Sequence, residues 1–155
     1  MKNKQNYTVG EAQKKLEYYC AYQDRCHVEV IAKLKEMGMI PEARDKIVAD
    51  LIRANYLNET RFSKSFARGK FRIKKWGKNR IIRELKKRGI SDFNIKLGLK
   101  EISENIYQST FDDLFEKQKK ELKELSKIEQ KKKIFYYFSY RGWEHSKIYE
   151  ALAEL

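Results

Sequence analysis

Apolar residues recur at the same distances from three glycines, Gly38, Gly89 and Gly142, which lie 51 and 53 residues apart. Each glycine has apolar residues four, seven and eight positions before it, and others one, ten and thirteen positions after it. Spacings of one, three and four residues place these side chains on one face of a helix before the glycine and one face of another helix after it. The eighteen positions are Val30, Ile31, Leu34, Met39, Val48 and Leu51 in the first copy, Ile81, Ile82, Leu85, Ile90, Leu99 and Ile102 in the second, and Ile134, Phe135, Phe138, Trp143, Leu152 and Leu155 in the third.

The residues that follow each glycine predict where the next helix begins. Glycine adopts a left-handed backbone without strain, so it commonly comes directly after the end of a helix. Pro41, Ser91 with Asp92, and Glu144 stand two to three residues after the glycines. Each suits a helix start. Proline fits the first turn of a helix, and serine or an acidic residue fits either that turn or the position just before it. The pattern therefore predicts a helix, a glycine and a second helix in all three copies.

A third helical segment precedes each pair, at residues 8–23, 58–76 and 109–126. After a tail at residues 1–7, we therefore expect three units near residues 8–56, 57–106 and 107–155, each with three helices. Units of this size bury too little surface alone, and stacking against their neighbours would provide a continuous core. The sequence predicts an all-α fold of about nine helices in three tandem three-helix repeats, arranged as an elongated, curved array. The alternative is one compact domain with chance self-similarity.

Composition agrees with this fold class. The chain has 155 residues, only one proline and no sustained alternation of apolar and polar positions that would indicate a sheet. Its 37% charged residues, and a mean hydropathy of -0.80, favour an elongated shape with much surface. The start of the sequence has no apolar signal region and no apolar run reaches the length of a membrane span, so we expect a cytoplasmic protein. We also expect it to be a monomer.

The charge is concentrated in one segment, residues 61–90, which holds thirteen basic residues and one acidic residue, Glu84. This segment accounts for +12 of the net charge of +13. A helix exposed only to solvent usually alternates its charges to form ion pairs between successive turns, and this segment does not. The imbalance predicts an anionic partner.

Two helices joined at a corner are expected to present this charge. The first has a basic stripe made of Arg61, Lys64, Arg68, Arg72 and Lys75, and an opposite face predicted to enter the core, made of Phe62, Phe66, Gly69 and Ile73. Trp76 and Gly77 would form the corner, and the second helix is expected from Lys78 to Arg88. The candidate binding residues are Arg61, Lys64, Arg68, Lys70, Arg72, Lys74, Lys75, Lys78, Arg80, Arg83, Lys86, Lys87 and Arg88.

Nucleic acid is the commonest partner for such a surface, and an acidic protein groove is another. Contacts between basic side chains and phosphates carry no base information, so we expect backbone contacts without sequence specificity. A basic amphipathic helix can also lie on anionic lipid. Here the apolar faces belong to the repeat and should already be buried, so no membrane partner is expected.

No catalytic or metal site emerges from the sequence. The segment WGKNR lacks the glycine and the hydroxyl residue of a phosphate-binding loop. Asp112, Asp113 and Glu116 form the nearest acidic group, which we interpret as favouring a helix N-terminus. Cys20 and Cys26, beside His27, are six residues apart rather than at zinc-site spacing. We therefore expect no enzyme activity, no metal and no cofactor.

The segment from Tyr56 to Ser91 resembles the signature region of the bacterial RecX family. The third copy resembles the last repeat of the family at Arg141, Gly142, Ile148 and Leu152, and the first copy resembles its opening repeat. Asn58 stands where an acidic residue is usual, and Trp76 where tyrosine is usual. The matching residues of the signature region are Leu57, Arg61, Phe62, Trp76, Gly77, Arg80, Ile81, Glu84, Leu85, Arg88, Gly89 and Ile90.

The resemblance implies a regulator of the RecA recombinase, mainly an inhibitor, and not an enzyme. Proteins of this family lie in the groove of the filament that RecA forms on single-stranded DNA. There they hinder filament growth, ATP hydrolysis and strand exchange, and so modulate DNA repair, recombination and the SOS response. The alternative from the residues alone is a general nucleic-acid-binding helical protein that acts without RecA, since glycine-turned helix pairs also resemble helix-turn-helix units.

Overall fold

The computed structural model describes residues 6–155, and every regular element in that range is an α-helix. Residues 1–5 of the predicted tail lie outside the described residues. No helix within residues 6–155 combines the length and the hydropathy that crossing a bilayer requires. The helices of this range are α1 Val9–Tyr22, α2 His27–Glu36, α3 Pro41–Arg53, α4 Glu59–Lys74, α5 Lys78–Lys87, α6 Asp92–Leu99, α7 Glu104–Glu121, α8 Lys127–Tyr140 and α9 His145–Ala153.

The three repeat glycines end α2, α5 and α8 in the same way. Gly38, Gly89 and Gly142 have φ angles of 77°, 71° and 83°. In each copy the amide after the glycine donates to a carbonyl five residues earlier, as from Trp143 to Phe138 (3.0 Å). The glycine amide itself donates to the carbonyl three residues earlier, which completes a Schellman motif. All eighteen apolar positions of the repeat are buried or half-buried, so the predicted pattern is confirmed.

The predicted helix starts are also confirmed. Pro41 is the first residue of α3, and Glu144 directly precedes α9. The hydroxyl of Ser91 accepts a hydrogen bond from the Asn94 amide (3.2 Å) at the start of α6. Such a bond satisfies one of the amides that have no partner in the first turn of a helix.

The prediction for the first helix of the third unit was wrong by about five residues at both ends. This helix, α7, begins at Glu104, because the hydroxyl of Ser103 accepts from the Ile106 amide (3.2 Å). The predicted boundary between residues 106 and 107 therefore falls inside its first turn. Asp112 and Asp113 lie in the middle of α7, so they do not stabilise its N-terminus as predicted.

The predicted core face of α4 was wrong at one position, Ile73, which is 78% exposed. The helix packs instead through Ser63, Ala67 and Phe71, which are all buried. Gly98 of α6 makes this packing close, because a Cβ at that position would meet the Ser63 carbonyl at less than 3.0 Å.

Two hydrophobic cores run through the three units. The first unit has its own core, formed around Leu16, Leu34 and Ile47. The second and third units share one, in which the ring of Trp143 stacks on that of Tyr107 with centroids 4.5 Å apart. The accessible surface of 10306 Å² exceeds the roughly 8,200 Å² typical of a folded monomer of this size, which indicates an elongated molecule.

The second and third units meet where two glycines come together. The Gly77 amide donates to the Arg141 carbonyl (2.8 Å), and the Asn79 amide donates to the Gly142 carbonyl (2.9 Å). A Cβ on Gly77 would lie less than 3.0 Å from the Gly142 carbonyl oxygen, and one on Gly142 equally close to the backbone of Arg80. The turn that ends α8 therefore lies directly against the turn that begins α5.

Buried side chains fix the same joint. The hydroxyl of Tyr107 accepts from the Lys78 amide (2.9 Å) and donates to the carboxylate of Glu144. Burial, together with that carboxylate, raises the pKa of Tyr107 above its usual range, so the hydroxyl keeps the proton that it donates. Nε1 of Trp143 donates to the Lys75 carbonyl (3.0 Å).

The first and second units are joined by ionic contacts. Nε of Arg61 donates to Oδ1 of Asp24 (2.6 Å), and its Nη2 donates to the carbonyls of Asn55 (3.0 Å) and Tyr56 (3.2 Å). Arg61 thus belongs to the scaffold that connects the units.

An apolar contact also links the first unit to its neighbours. Cys26, which is 0% exposed, packs in the core of the second and third units, and burial raises the pKa of its thiol to about 11.

We expect Gly142→Ala to destabilise the protein by about 3 kcal/mol or more, because a left-handed backbone and a steric overlap with Arg80 act together. Gly38→Ala is the matched control. It has a similar φ of 77° but nothing within 4 Å of the new Cβ, so only the backbone term of about 1–2 kcal/mol should remain. Urea denaturation of both variants measures the difference, and equal losses would show that the glycine joint is not tight.

We also expect Arg61→Ala to lower the free energy of unfolding by about 1–3 kcal/mol, because three hydrogen bonds of one guanidinium are lost. Lys64→Ala, on the same helix and with no acidic partner among residues 6–155, should change it by less than about 0.5 kcal/mol. A double-mutant cycle with Asp24→Ala would measure the coupling. A coupling near zero would contradict a structural role for this ion pair.

Candidate nucleic-acid interface

The basic segment folds into α4, a corner and α5, which places all thirteen candidate residues on two adjoining helices. The corner begins at Lys75, which has a left-handed φ of 58°, and Gly77 precedes the first residue of α5. Asn58 starts α4 by accepting a hydrogen bond from the Arg61 amide (2.9 Å). The structure divides the thirteen residues into two groups, according to whether their charge is already paired or held within the protein.

Six of the thirteen are held by contacts within the chain, and the contacts of Arg80 are the most extensive. Its guanidinium carbon lies 4.3 Å from the ring centroid of Trp76 and 5.0 Å from that of Tyr140. Its Nη1 also donates to the Tyr140 carbonyl (3.2 Å). Guanidinium groups stack well on aromatic faces. Arg80 therefore connects α5 to the third unit.

The other held residues form ion pairs. Arg88 and Lys87 pair with Glu84 at 3.1 and 3.6 Å, and the hydrogen bond from Arg88 holds the pKa of Glu84 below its usual range. Arg68 pairs with Glu101 (2.6 Å), which follows α6, and Lys78 pairs with Glu104 of α7. With Arg61, Arg68 and Lys78 join helices or units, whereas Lys87 and Arg88 are held locally, by Glu84 of α5.

The remaining seven residues have no acidic side chain within 4.0 Å in the part of the chain that the structure describes. Lys70 is grouped with them for this reason, and its Nζ also lies 5.1 Å from the Trp76 centroid and 5.5 Å from that of Phe66. Five of them are exposed, and two, Lys64 and Lys70, are half-buried. We call this set the unpaired cations. They are Lys64, Lys70, Arg72, Lys74, Lys75, Arg83 and Lys86.

The unpaired cations surround α4 and continue along α5. Arg72 and Lys74 lie in the last turn of α4, where the helix dipole favours positive charge. Lys64 borders a shallow depression of about 300 Å³ together with Asn58 and Arg68. Arg83 and Lys86 are three residues apart and therefore share the outer face of α5.

A groove of about 340 Å³ runs along the other side of α4, and its charge is mixed. Phe66 and Ile73 form an apolar wall beside Lys70 and Lys74, whereas Asp24 and Glu29 of the first unit form the opposite wall. Asp24 is already paired with Arg61, and Arg88 also lines the groove, so its charge is nearly balanced and the groove as a whole does not select phosphate. Sequence reasoning missed it because Asp24 and Glu29 are far from α4 along the chain.

Sequence reasoning also missed the aromatic side chains of the third unit that border the basic segment. Tyr140 packs on Arg80, and Tyr136 stacks on Tyr140 with ring centroids 5.9 Å apart. The available signal was a pair of tyrosines four residues apart, the first of them three residues after a run of three lysines at residues 131–133.

The chemistry of this surface is electrostatic. The described residues contain no grouping of three His, Cys, Asp or Glu side chains fit to hold a metal. Cys20 and Cys26 are both buried, which places them away from the basic surface. Lysine and arginine side chains without acidic partners are well suited to phosphate groups, and the surface can therefore bind a polyanion.

Comparison with known proteins identifies the same segment. A family model for the second three-helix domain of RecX matches residues 58–99, which cover α4 to α6. The regulatory protein RecX of Enterococcus faecalis is 37% identical over 81 residues, and that of Lactobacillus johnsonii is 33% identical over 86 residues. These alignments cover 52% and 56% of this chain, but only 30% and 32% of the two relatives, so the matched part spans about a third of their length.

Solved structures agree on the fold. The crystal structure of RecX from Lactobacillus salivarius superposes with a TM-score of 0.80 at 21% identity, and covers 95% of this chain and 97% of that one. A second crystal structure of a regulatory protein RecX gives a TM-score of 0.78 at 19% identity, with 95% and 75% covered.

One relative matches over most of both chains. The regulatory protein RecX of Pelodictyon phaeoclathratiforme is 30% identical over 126 residues, which are 80% of this chain and 76% of that protein. With the family model on the second unit, this long alignment shows that the chain belongs to the RecX family.

Proposed function

We propose that this protein regulates the RecA recombinase, mainly by inhibition. It lies in the groove of the RecA filament on single-stranded DNA, where it hinders filament growth, ATP hydrolysis and strand exchange. One observation carries the proposal: in a member of the RecX family, the seven unpaired cations surround α4 and continue along α5. The elongated arrangement of helices also suits an extended groove.

The unpaired cations contact the phosphates of the DNA strand within the filament. Each phosphate that is neutralised releases condensed counterions, and this gives affinity without base specificity. A regulator that must act anywhere along a filament needs this kind of contact.

The protein acts by occupying the groove rather than by catalysis, and it needs no cofactor. It works as a monomer in the cytoplasm, where it modulates DNA repair, recombination and the SOS response. The three units act together, since the second presents most of the charge and the first and third extend the surface on either side.

A second candidate function is general nucleic-acid binding without RecA. The same unpaired cations favour it, because phosphate contacts do not require a recombinase. The two functions differ in the protein concentration at which they act, since a general binder must saturate the DNA to have an effect.

The DNA-dependent ATPase of a bacterial RecA, titrated with this protein, separates the two. Direct binding to the same DNA is measured at the same salt concentration. Inhibition at protein concentrations well below those that coat the DNA would support the filament regulator. Inhibition only at saturation would favour the general binder, and no inhibition would contradict the proposed function.

We expect replacement of three unpaired cations, Arg72→Gln, Lys74→Gln and Lys86→Gln, to weaken ATPase inhibition and DNA binding. The slope of log affinity against log salt for a single strand should fall by about 2, because each lost phosphate contact removes about 0.7. Circular dichroism should be unchanged, since none of the three pairs with an acidic group among residues 6–155.

The matched control is Lys117→Gln, Lys120→Gln and Lys123→Gln. These exposed lysines lie at the end of α7 or just after it, and removing them changes the net charge by the same amount. The control should keep inhibition and the salt slope close to those of the original protein. Equal weakening by both triple variants would show that net charge matters rather than the α4–α5 surface.

A further inference from the structure

A row of π-faces crosses the joint between the second and third units. The ring of Phe66 meets that of Trp76 edge-on, with centroids 6.2 Å apart. The guanidinium carbon of Arg80 lies 4.3 Å from the Trp76 centroid and 5.0 Å from that of Tyr140. Tyr140 in turn stacks on Tyr136 at 5.9 Å and 23°. We call the run from Trp76 through Arg80 and Tyr140 to Tyr136 the aromatic row.

The outer end of the row is open to solvent. Tyr140 is 57% exposed and Tyr136 is 69% exposed, although the two rings lie nearly parallel on successive turns of α8. A single exposed tyrosine is ordinary, but here Tyr140 supports Tyr136 from one side, and the exposed ring of Tyr136 can receive a planar ligand on its other face. The inner end is fixed, because Arg80 is held between Trp76 and Tyr140.

Positive charge borders the row at both ends. At the inner end, Nζ of Lys70 lies 5.1 Å from the Trp76 centroid. At the outer end, Lys132 and Lys133 come four and three residues before Tyr136, so they share its face of α8. Glu129, two turns before Tyr136, is the acidic residue on the same face of α8. With two lysines and one glutamate, this face has a net positive charge.

We propose that the aromatic row stacks the bases of a single-stranded nucleic acid. This inference rests on the proposed function, because the unpaired cations of α4 and α5 hold the phosphates of the same strand. The strand then crosses from the second unit to the third over the glycine joint. The exposed tyrosines receive the bases, and Trp76 and Arg80 hold Tyr140 in place. Bases stack on tyrosine rings whatever their sequence, which agrees with a regulator that reads no bases.

The aromatic row is continuous with the basic segment, and this favours a nucleic acid over a protein as its partner. The row begins inside the basic segment, at Trp76 and Arg80, and each step to Tyr136 is a stacking contact. A ligand that follows the row to its inner end therefore also meets Lys70, one of the unpaired cations, beside Trp76. Single-stranded nucleic acid offers both parts, a charged backbone and a series of planar bases.

The test compares two fluorescent oligonucleotides of equal length, one of deoxythymidines and one of abasic sites with the same backbone. Anisotropy titrations at one salt concentration measure both affinities. The original protein should bind the thymidine oligonucleotide at least about fivefold more tightly, which is the low end of stacking on one base. Tyr136→Leu with Tyr140→Leu should remove this preference and leave binding to the abasic oligonucleotide unchanged.

Two controls isolate stacking from other effects. Tyr136→Phe with Tyr140→Phe keeps the rings and should keep the preference. Tyr149→Leu removes a tyrosine of similar exposure, 59%, in the same unit. That ring stacks on Phe135 at 5.4 Å, in a cluster with His145 that is separate from the row, so the preference should remain.

The outcomes distinguish this inference from the proposed function. Equal affinity of the original protein for both oligonucleotides, or a preference that survives the double leucine variant, would overturn base stacking and leave the regulator standing. Binding to neither would contradict the phosphate contacts and stacking together. If the leucine variant lost RecA inhibition but kept its oligonucleotide affinities, the row would be a protein contact and the inference would be wrong.

Discussion

The contact between two turns, at Gly77 and Gly142, sets the geometry on which the basic surface depends. Each glycine lies so close to the backbone of the other unit that a methyl group would overlap with it. Two amide-to-carbonyl hydrogen bonds of 2.8 and 2.9 Å cross this contact, so the turns are held by backbone atoms. Because Gly142 also ends α8 in a left-handed conformation, one residue both shapes the repeat and joins two of its copies.

This joint explains why the basic segment is not simply a charged surface. By bringing α8 against α5, it places Tyr140 on Arg80 and thereby makes part of the charge structural. The ion pair of Lys78 with Glu104 has the same origin, since α7 packs beside the start of α5. Residues that the sequence shows as one block therefore have two roles, which are joining units and facing solvent.

The parts of the fold that could be predicted from sequence are those decided locally. The left-handed glycines and the helix starts at Pro41 and Ser91 depend on a few neighbouring residues, and the structure confirms them. The start of α7 was missed because Ser103 and Ser109 are equally plausible beginnings, and packing of Tyr107 into the shared core decides between them. Ile73 was misplaced because α4 packs on more than one side, and a helical period cannot tell which apolar stripe is covered.

The candidate site shows the same limit. The segment and its charge could be read directly, and so could the local pairing of Glu84 with Lys87 and Arg88. The contacts of the other four held cations could not, because their partners are distant. Asp24 lies 37 residues from Arg61, and the Tyr140 carbonyl lies 60 residues from Arg80. Such contacts follow from the arrangement of the units rather than from any local pattern, so counting basic residues overstates the charge that is free for a ligand.

Residue type carries some of the missing information. Four of the six held cations are arginines, whereas five of the seven unpaired cations are lysines. The planar guanidinium can stack on a ring and donate several hydrogen bonds in fixed directions, as Arg61 and Arg80 do here. The lysine ammonium is compact and strongly hydrated, and therefore remains at the surface as a point charge. In a basic segment built from repeats, the arginines are thus the first candidates for joining units, and the lysines better indicate the charge available to phosphate.

The number of unpaired cations also limits the salt dependence of binding. With seven unpaired cations, the α4–α5 surface can give a salt slope of at most about 5 on a single strand, well below the roughly 9 that all thirteen would allow.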